Sequence, residues 1–539
     1  MKEQERDNNC LAATATERQA TARVRLSRRA VACDEGGGPD AGAGKSAMDL
    51  QTLTLPGRES KSFVHCQEDK LSGGRVVDTP VEPAPFALEK DSLRILRDAL
   101  EKLERGFAKL PALAANDPEP AAMERVLSDV AERLRDNYPY FHPLYAGQML
   151  KPPHPVARLA YALAMWINPN NHALDGGRAS SQMEKEAILE IARMFGWETC
   201  LGHLCGGGTM ANLEALWIAG RLRPGAAVVA SEQAHYTHQR IGGVLGLSFE
   251  TVSCDCRGRM DAEALEERLR RGGVGTVVAT MGTTATGSVD PLPALLELRE
   301  RYGFRLHADA AYGGYFILAG NLASEARAAY DRLGEADSIV VDPHKHGLQP
   351  YGCGAVLFRD PSVGRFYKHE SPYTYFSSAE LHLGEISLEC SRPGAAAVAL
   401  WATQKLLPLA RGGEFARGLE ACRDAALALY GRLAADRRFL TAFAPELDIL
   451  VWTPRSSGAS ASSDLARRVF EESARRDLHL ALAELPVGFF DLPGAGMAKD
   501  RGRITCLRSV LMKPDHREWV ERIWEILDQT TGAVLPRVP

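Results

Sequence analysis

The sequence predicts an α/β protein: a largely parallel sheet with helices on both faces, followed by a smaller C-terminal α+β unit. Three observations point there. Short apolar runs recur between about 220 and 360, with helical patterns between them. The runs are continuous rather than alternating, as expected of strands buried on both faces. Beyond about 400 a helix-rich stretch leads to two late strands and a closing amphipathic helix.

Residues 1–80 are polar, contain Gly36-Gly37-Gly38-Pro39 and lack periodic apolar positions, so a disordered extension is expected there. Gly44-Lys45-Ser46 imitates the end of a phosphate loop. The first glycine of that motif would fall on Pro39, and no strand precedes it, so the likeness is rejected. Residues 81–175 read as an N-terminal helical segment, because Leu93, Leu96, Leu100 and Leu103 recur at helical spacing. A loop with Tyr138-Pro139-Tyr140 follows. Ser181 and Glu184 have the spacing of a capping box ahead of Ile188, Ile191 and Phe195. Residues 176–405 read as the large domain. Its strands are expected at 226–230, 249–253, 274–281, 304–309, 338–342 and 355–358, and its helices at 210–221, 261–271 and 291–302. Residues 406–539 read as the small domain, with strands near 448 and 504 and a helix over 516–529.

Of the 539 residues, 45% are hydrophobic and 25% charged, which suits a globular protein. A net charge of −5 gives no broad attraction to nucleic acid or an anionic membrane. The 11 cysteines are odd in number and scattered, so a reducing cytoplasm is the expected setting. Cys254-Asp255-Cys256 has no Cys or His pair at zinc spacing nearby, so no metal is expected. No apolar run reaches the roughly 20 residues of a spanning helix. The first residues lack the apolar stretch of a signal peptide.

The chemistry concentrates at strand ends, where ligands gather in open α/β sheets. Asp309 ends one apolar run in His307-Ala308-Asp309-Ala310-Ala311-Tyr312, and Lys345 follows the next in Asp342-Pro343-His344-Lys345-His346. A lone lysine is usually a solvated charge. A lysine amine paired with a strand-end carboxylate is what pyridoxal phosphate (PLP) needs: the amine forms a Schiff base, and the carboxylate keeps the pyridine nitrogen protonated. Gly206-Gly207-Gly208-Thr209 precedes a helix whose free N–H groups suit a phosphate. His235 is a candidate to stack on the ring. The turn holding Thr283 offers a hydroxyl or is simply a turn. Ala311 is small enough to lie beneath a flat ring.

These motifs as a set resemble the group II PLP-dependent amino-acid decarboxylases, over roughly 135–515. Pro343-His344-Lys345 and Gly208-Thr209 with Ala211-Asn212-Leu213 carry the likeness, as do Gly282-Thr283-Thr284 before Asp290-Pro291-Leu292 and Asp309-Ala310-Ala311-Tyr312-Gly313-Gly314. Asp342 to Lys345 with Leu357-Phe358-Arg359-Asp360 is especially similar to archaeal-type tyrosine/aspartate decarboxylases. The resemblance implies the aspartate-aminotransferase-like fold (fold type I) and a homodimer with shared sites. It implies decarboxylation of an L-amino acid to an amine and carbon dioxide. It implies that Lys345 carries the cofactor, that Asp309 pairs with the pyridine nitrogen, that His235 stacks on one face and that Ala311 lies on the other. Gly208, Thr209, Asp342 and His344 would line the phosphate side, and His344 would also serve proton transfer. Gly206 departs from the serine of many relatives. Ser371-Pro372-Tyr373-Thr374-Tyr375-Phe376 sits where relatives have a mobile loop, so Tyr373, or else Tyr375, would be the proton donor. Ser391-Arg392-Pro393-Gly394 resembles sphingosine-phosphate lyases, which keeps carbon–carbon lyase activity as an alternative. A non-catalytic PLP-binding protein is the second alternative.

Overall fold

The computed structural model describes residues 91–112, 119–173, 176–368 and 386–535. The expected extension 1–80 and the segment holding Tyr373 and Tyr375 lie outside them. The described residues all belong to one compact unit. The chain opens with helices α1 (Ser92–Gly106), α2 (Pro120–Leu134) and α3 (Pro155–Met165). Neither α1 nor α2 buries a residue. Helix α4 (Arg178–Met194) then leads into the sheet.

The proposed capping box is a correction. Helix α4 starts at Arg178, its N-cap Gly177 makes no side-chain cap, and Ser181 and Glu184 lie buried inside the helix. Glu184 is used elsewhere: its Oε1 accepts from Arg392 Nη1 at 2.6 Å and its Oε2 from Asn171 at 2.6 Å.

The large sheet has seven strands: β1 (Leu201–Cys205), β2 (Ala227–Ser231), β3 (Phe249–Val252), β4 (Val274–Thr280), β5 (Arg305–Asp309), β6 (Ser338–Val341) and β7 (Gly354–Phe358). Their spatial order is β1-β7-β6-β5-β4-β2-β3. Strand β7 runs antiparallel to β1 and β6, and the remaining pairs are parallel. The crossovers are α5 (Gly208–Leu222), α6 (Thr237–Leu245), α7 (Ala262–Arg270), α8 (Leu292–Tyr302) and α9 (Ser324–Asp331). Strands β2, β6 and β7 are buried at every residue, as a sheet covered on both faces requires.

After α10 (Gly394–Leu406) and α11 (Glu414–Ala435) comes a four-stranded antiparallel sheet, in the order β10-β11-β9-β8. It comprises β8 (Phe439–Thr441), β9 (Ile449–Pro454), β10 (Ala481–Pro486) and β11 (Arg503–Val510), with α12 (Ala459–Ala474) and α13 (His516–Val534) against it. No helix among the described residues is long and apolar enough to cross a membrane.

Register positions the chemistry. Thr280 at the end of β4 stands opposite Asp309 at the end of β5, and Asp309 stands opposite Val340 of β6. The parallel strands therefore deliver their carboxyl ends to one edge.

Candidate active site

A cleft of about 630 Å³ opens at that edge. Gly208, Thr209, His235, Asp309, Ala311, Asp342, His344 and Lys345 all line it. Thr283 does not. Its hydroxyl is fully buried in a chain with Thr286 (2.7 Å) and Ser288, while Thr280, Gly282 and Thr284 face the cleft. The turn reaches the cleft through the residues beside Thr283, because the hydroxyl chain inside the turn claims that side chain.

Lys345 lies in the turn after β6, and its amine is 3.0 Å from Asp342 Oδ2. Asp342 is buried, and its Oδ1 has no hydrogen-bond partner among the described residues. His344 Nδ1 bonds the Cys353 carbonyl at 2.8 Å, which leaves Nε2 toward Asp342 at 3.6 Å. Tyr351 stacks on His344 with ring centroids 4.8 Å apart, and it also lines the cleft.

Asp309 is buried, which pushes its carboxyl up. The hydrogen bond and charge of His238 outweigh that and hold it below the usual carboxylate range, with help from His307 and Lys345. Its Oδ2 lies 2.8 Å from His238 Nε2, and its Oδ1 accepts the Ala311 amide at 3.2 Å. Burial lowers the His235 imidazole, and Lys345 and His238 add to this against Asp309, so the ring is held toward its neutral form. Its Nδ1 accepts the Thr237 amide at 3.3 Å.

The glycine loop forms a close cradle. Gly207 has φ +143°, and a Cβ there would stand 3.2 Å from His344 Cε1. A Cβ on Gly208 would stand 2.7 Å from Asp342 Oδ2, so side chains are excluded where backbone must approach a ligand. Helix α5 begins at Gly208 and aims its free N–H groups at the same place. Gly206 donates its amide to Glu389 Oε2 at 2.9 Å.

Three residues of this region carried no sequence signal. His238 hides in an ordinary helical run, one turn beyond His235. Tyr351 sits in the loop between β6 and β7. Arg508 lies in β11, 4% exposed, with Nε and Nη2 unpartnered among the described residues. It lines a second recess together with Gln148, His235 and Thr284. The Ser-Arg-Pro-Gly motif does not reach the cleft. Arg392 is buried against Glu184, the Leu204 carbonyl and the Asn171 carbonyl, so the feature that suggested a lyase is a structural clamp.

An amine, a strand-end carboxylate held ionised, a neutral imidazole, a small residue and a glycine-cradled helix N-terminus fit PLP. Unpartnered polar atoms at Asp342 Oδ1 and Thr280 Oγ1 stand ready in the same cleft. The fold and this site define a PLP-dependent enzyme of fold type I.

Comparison with known proteins narrows the class. Residues 216–452 match the pyridoxal-dependent decarboxylase conserved domain. The chain is 31% identical over 292 residues to L-aspartate decarboxylase of Thermococcus kodakarensis, covering 53% of this chain and 74% of that one. It is 28% identical over 408 residues to L-tyrosine decarboxylase of Enterococcus faecium, covering 56% and 67%. The crystal structure of Oryza sativa TDC with PLP and tryptamine matches with a TM-score of 0.66 at 18% identity, covering 84% and 100%. That last likeness speaks to the fold. The chain belongs to the pyridoxal-dependent decarboxylase family, and its reaction class is PLP-dependent amino-acid decarboxylation.

Proposed function

We propose that this chain removes the α-carboxylate of an L-amino acid through the cleft at the ends of β4, β5 and β6, with Lys345 as the residue that holds PLP. The observation that carries this is the joint placement of Lys345, Asp309 and His235 on one cleft. Bound there, PLP supplies an electron sink for the pair released when the carboxylate leaves. Asp309 would accept a hydrogen bond from the pyridine nitrogen. His235 and Ala311 would flank the ring. Gly208 and Thr209, with the start of α5, would take the phosphate, and Asp342 and His344 would close that side.

Arg508 is the proposed anchor for the substrate carboxylate, since its guanidinium is buried, half free and beside His235. A bidentate arginine can set the carbon–carboxylate bond perpendicular to the ring. The product needs one proton at the α-carbon after carbon dioxide departs. Tyr373 is the proposed donor, on the resemblance of its segment to the decarboxylase loop, with Tyr375 and His344 next in line. Arg508→Met would raise KM, and Tyr373→Phe would divert product from amine to carbonyl compound.

The deciding experiment is carbon dioxide release by the PLP-loaded protein from L-tyrosine, L-aspartate, cysteine sulfinate and other L-amino acids. Lys345→Ala serves as the control, expected to lose covalently held cofactor. Release by none of them, or a borohydride-fixed label on another lysine, overturns the reading.

A homodimer in the cytoplasm completes the proposal. Leu93, Phe107, Val126, Leu127 and Leu134 are more than half exposed on α1, α2 and the turn after α1, an apolar surface that a second copy would cover. The eight cysteines among the described residues are free thiols, in keeping with a reducing compartment. Light scattering should return twice the 58.6 kDa chain mass; a monomeric holoenzyme would refute the dimer.

A further inference from the structure

Two histidines at the start of α6 bear on the cleft. His235 lines it just before the helix begins, and His238 lies three residues on, wholly buried behind Asp309. His238 Nε2 is 2.8 Å from Asp309 Oδ2. Among the described residues no other side chain hydrogen-bonds that carboxylate, whose second partner is the Ala311 amide. An ionised carboxylate only accepts, so Nε2 carries the proton. His238 Nδ1 is buried without a hydrogen-bond partner.

Neighbouring His307 provides the contrast. Its two nitrogens meet Ser338 Oγ at 2.9 Å and Asn212 Oδ1 at 2.8 Å, and it points nothing at Asp309. A buried carboxylate with a single amide donor would be under-satisfied and free to turn or to take up a proton. A protonated Asp309 could no longer hold a proton on a pyridine nitrogen.

The geometry points to His238 as a positioning residue that fixes Asp309 in one orientation and keeps it a carboxylate, so that the cofactor's pyridine nitrogen stays protonated. This rests on the cofactor site proposed above. His238 touches neither substrate nor cofactor and acts through Asp309.

The test is the 15N resonance of pyridine-labelled PLP bound to the full chain, read together with steady-state kinetics. In the unaltered protein the nitrogen should resonate as protonated. His238→Phe keeps a ring of similar size but removes the donor. It should move the resonance toward the unprotonated position and lower kcat about tenfold with KM little changed, since the loss falls on the chemical step. His238→Gln can place an amide donor where Nε2 stood and should keep the protonated resonance. His238→Asn is too short to do so and should behave as His238→Phe. This pair decides the matter if the phenylalanine variant fails to load cofactor. An unmoved resonance in His238→Phe, or identical behaviour of the Gln and Asn variants, overturns the inference. If the unaltered protein does not hold PLP on Lys345, the cofactor site itself has failed instead.

Discussion

In the proposed cofactor site, Asp309 is the residue that would set the electronics. Burial alone would favour its neutral form, and the donor at His238 reverses that preference. Asp309→Asn should therefore retain cofactor but lose at least roughly a hundredfold in kcat, about 3 kcal/mol in the barrier, because an amide cannot keep the pyridine nitrogen protonated. Turnover measured on the cofactor-loaded variant checks this, and near-normal turnover would give Asp309 another role. Lys345, Asp309 and His235, which line one cleft, stand out in the sequence because each sits in a short contiguous motif at or just after the end of an apolar strand. His238 does not, because its meaning lies in a partner 71 residues away. Arg508 was hidden for the same reason: its hydrogen-bond partners are Gly147 and Gln148, some 360 residues earlier. Thr283 shows the opposite error. The turn was readable, but which of its hydroxyls faces out depends on the internal chain with Thr286 and Ser288.

Among the elements, the buried parallel strands were legible because continuous apolar runs leave little alternative. Strand β1 was not, since His203 and Gly202 interrupt its apolar character. Its polarity is satisfied internally: His203 Nε2 meets Glu214 Oε2 at 2.9 Å, both fully buried. Strands β8 and β10 escaped because they are short or half exposed. Helix α4 illustrates how local spacing misleads. Glu184 matched a cap, yet it joins α4 to Arg392, to Asn171 and to the Leu204 amide at 2.9 Å. That last bond fixes the end of β1, and β1 leads into the glycine cradle. Arg392→Met would strand a buried carboxylate, a loss of about 3–5 kcal/mol. Urea unfolding should show that loss, and PLP affinity should fall with it because the cradle loosens. Adding Glu184→Gln to Arg392→Met should recover part of the stability. Additive losses in that double-mutant cycle would show that the two side chains are not coupled.

For the whole molecule, two buried histidines each lower stability in acid, against the buried Asp290, whose carboxyl burial pushes up to about 7 and which therefore acts in the opposite direction. Burial pushes His307 down to about 3, and His238 adds to this. Burial likewise pushes His516 down to about 3, with Lys513 adding to it against the weaker pull of Asp448. In the unfolded chain both return to about 6.5. The folded pKa of each is thus depressed, so each histidine binds fewer protons in the folded than in the unfolded state between about 6.5 and 3. Their contribution to stability is complete above 6.5 and is lost as pH falls through that window. At pH 5 each histidine contributes a loss of about 2 kcal/mol, from 1.36 kcal/mol per pH unit. His516 is the one to vary, because it sits at the start of α13, away from the cleft, where its Nδ1 accepts the Lys513 amide at 3.1 Å. An asparagine there can still accept that bond, because its Oδ1 stands where Nδ1 stood, yet it cannot take up a proton when the chain unfolds. His516→Asn should therefore flatten the dependence of unfolding free energy on pH between 6 and 5 by about one proton's worth, leaving the His307 share in place. Urea titrations of both proteins at half-unit steps of pH measure the two slopes. Equal slopes would mean that His516 is charged in the folded state, and the acid sensitivity would then have to come from other groups.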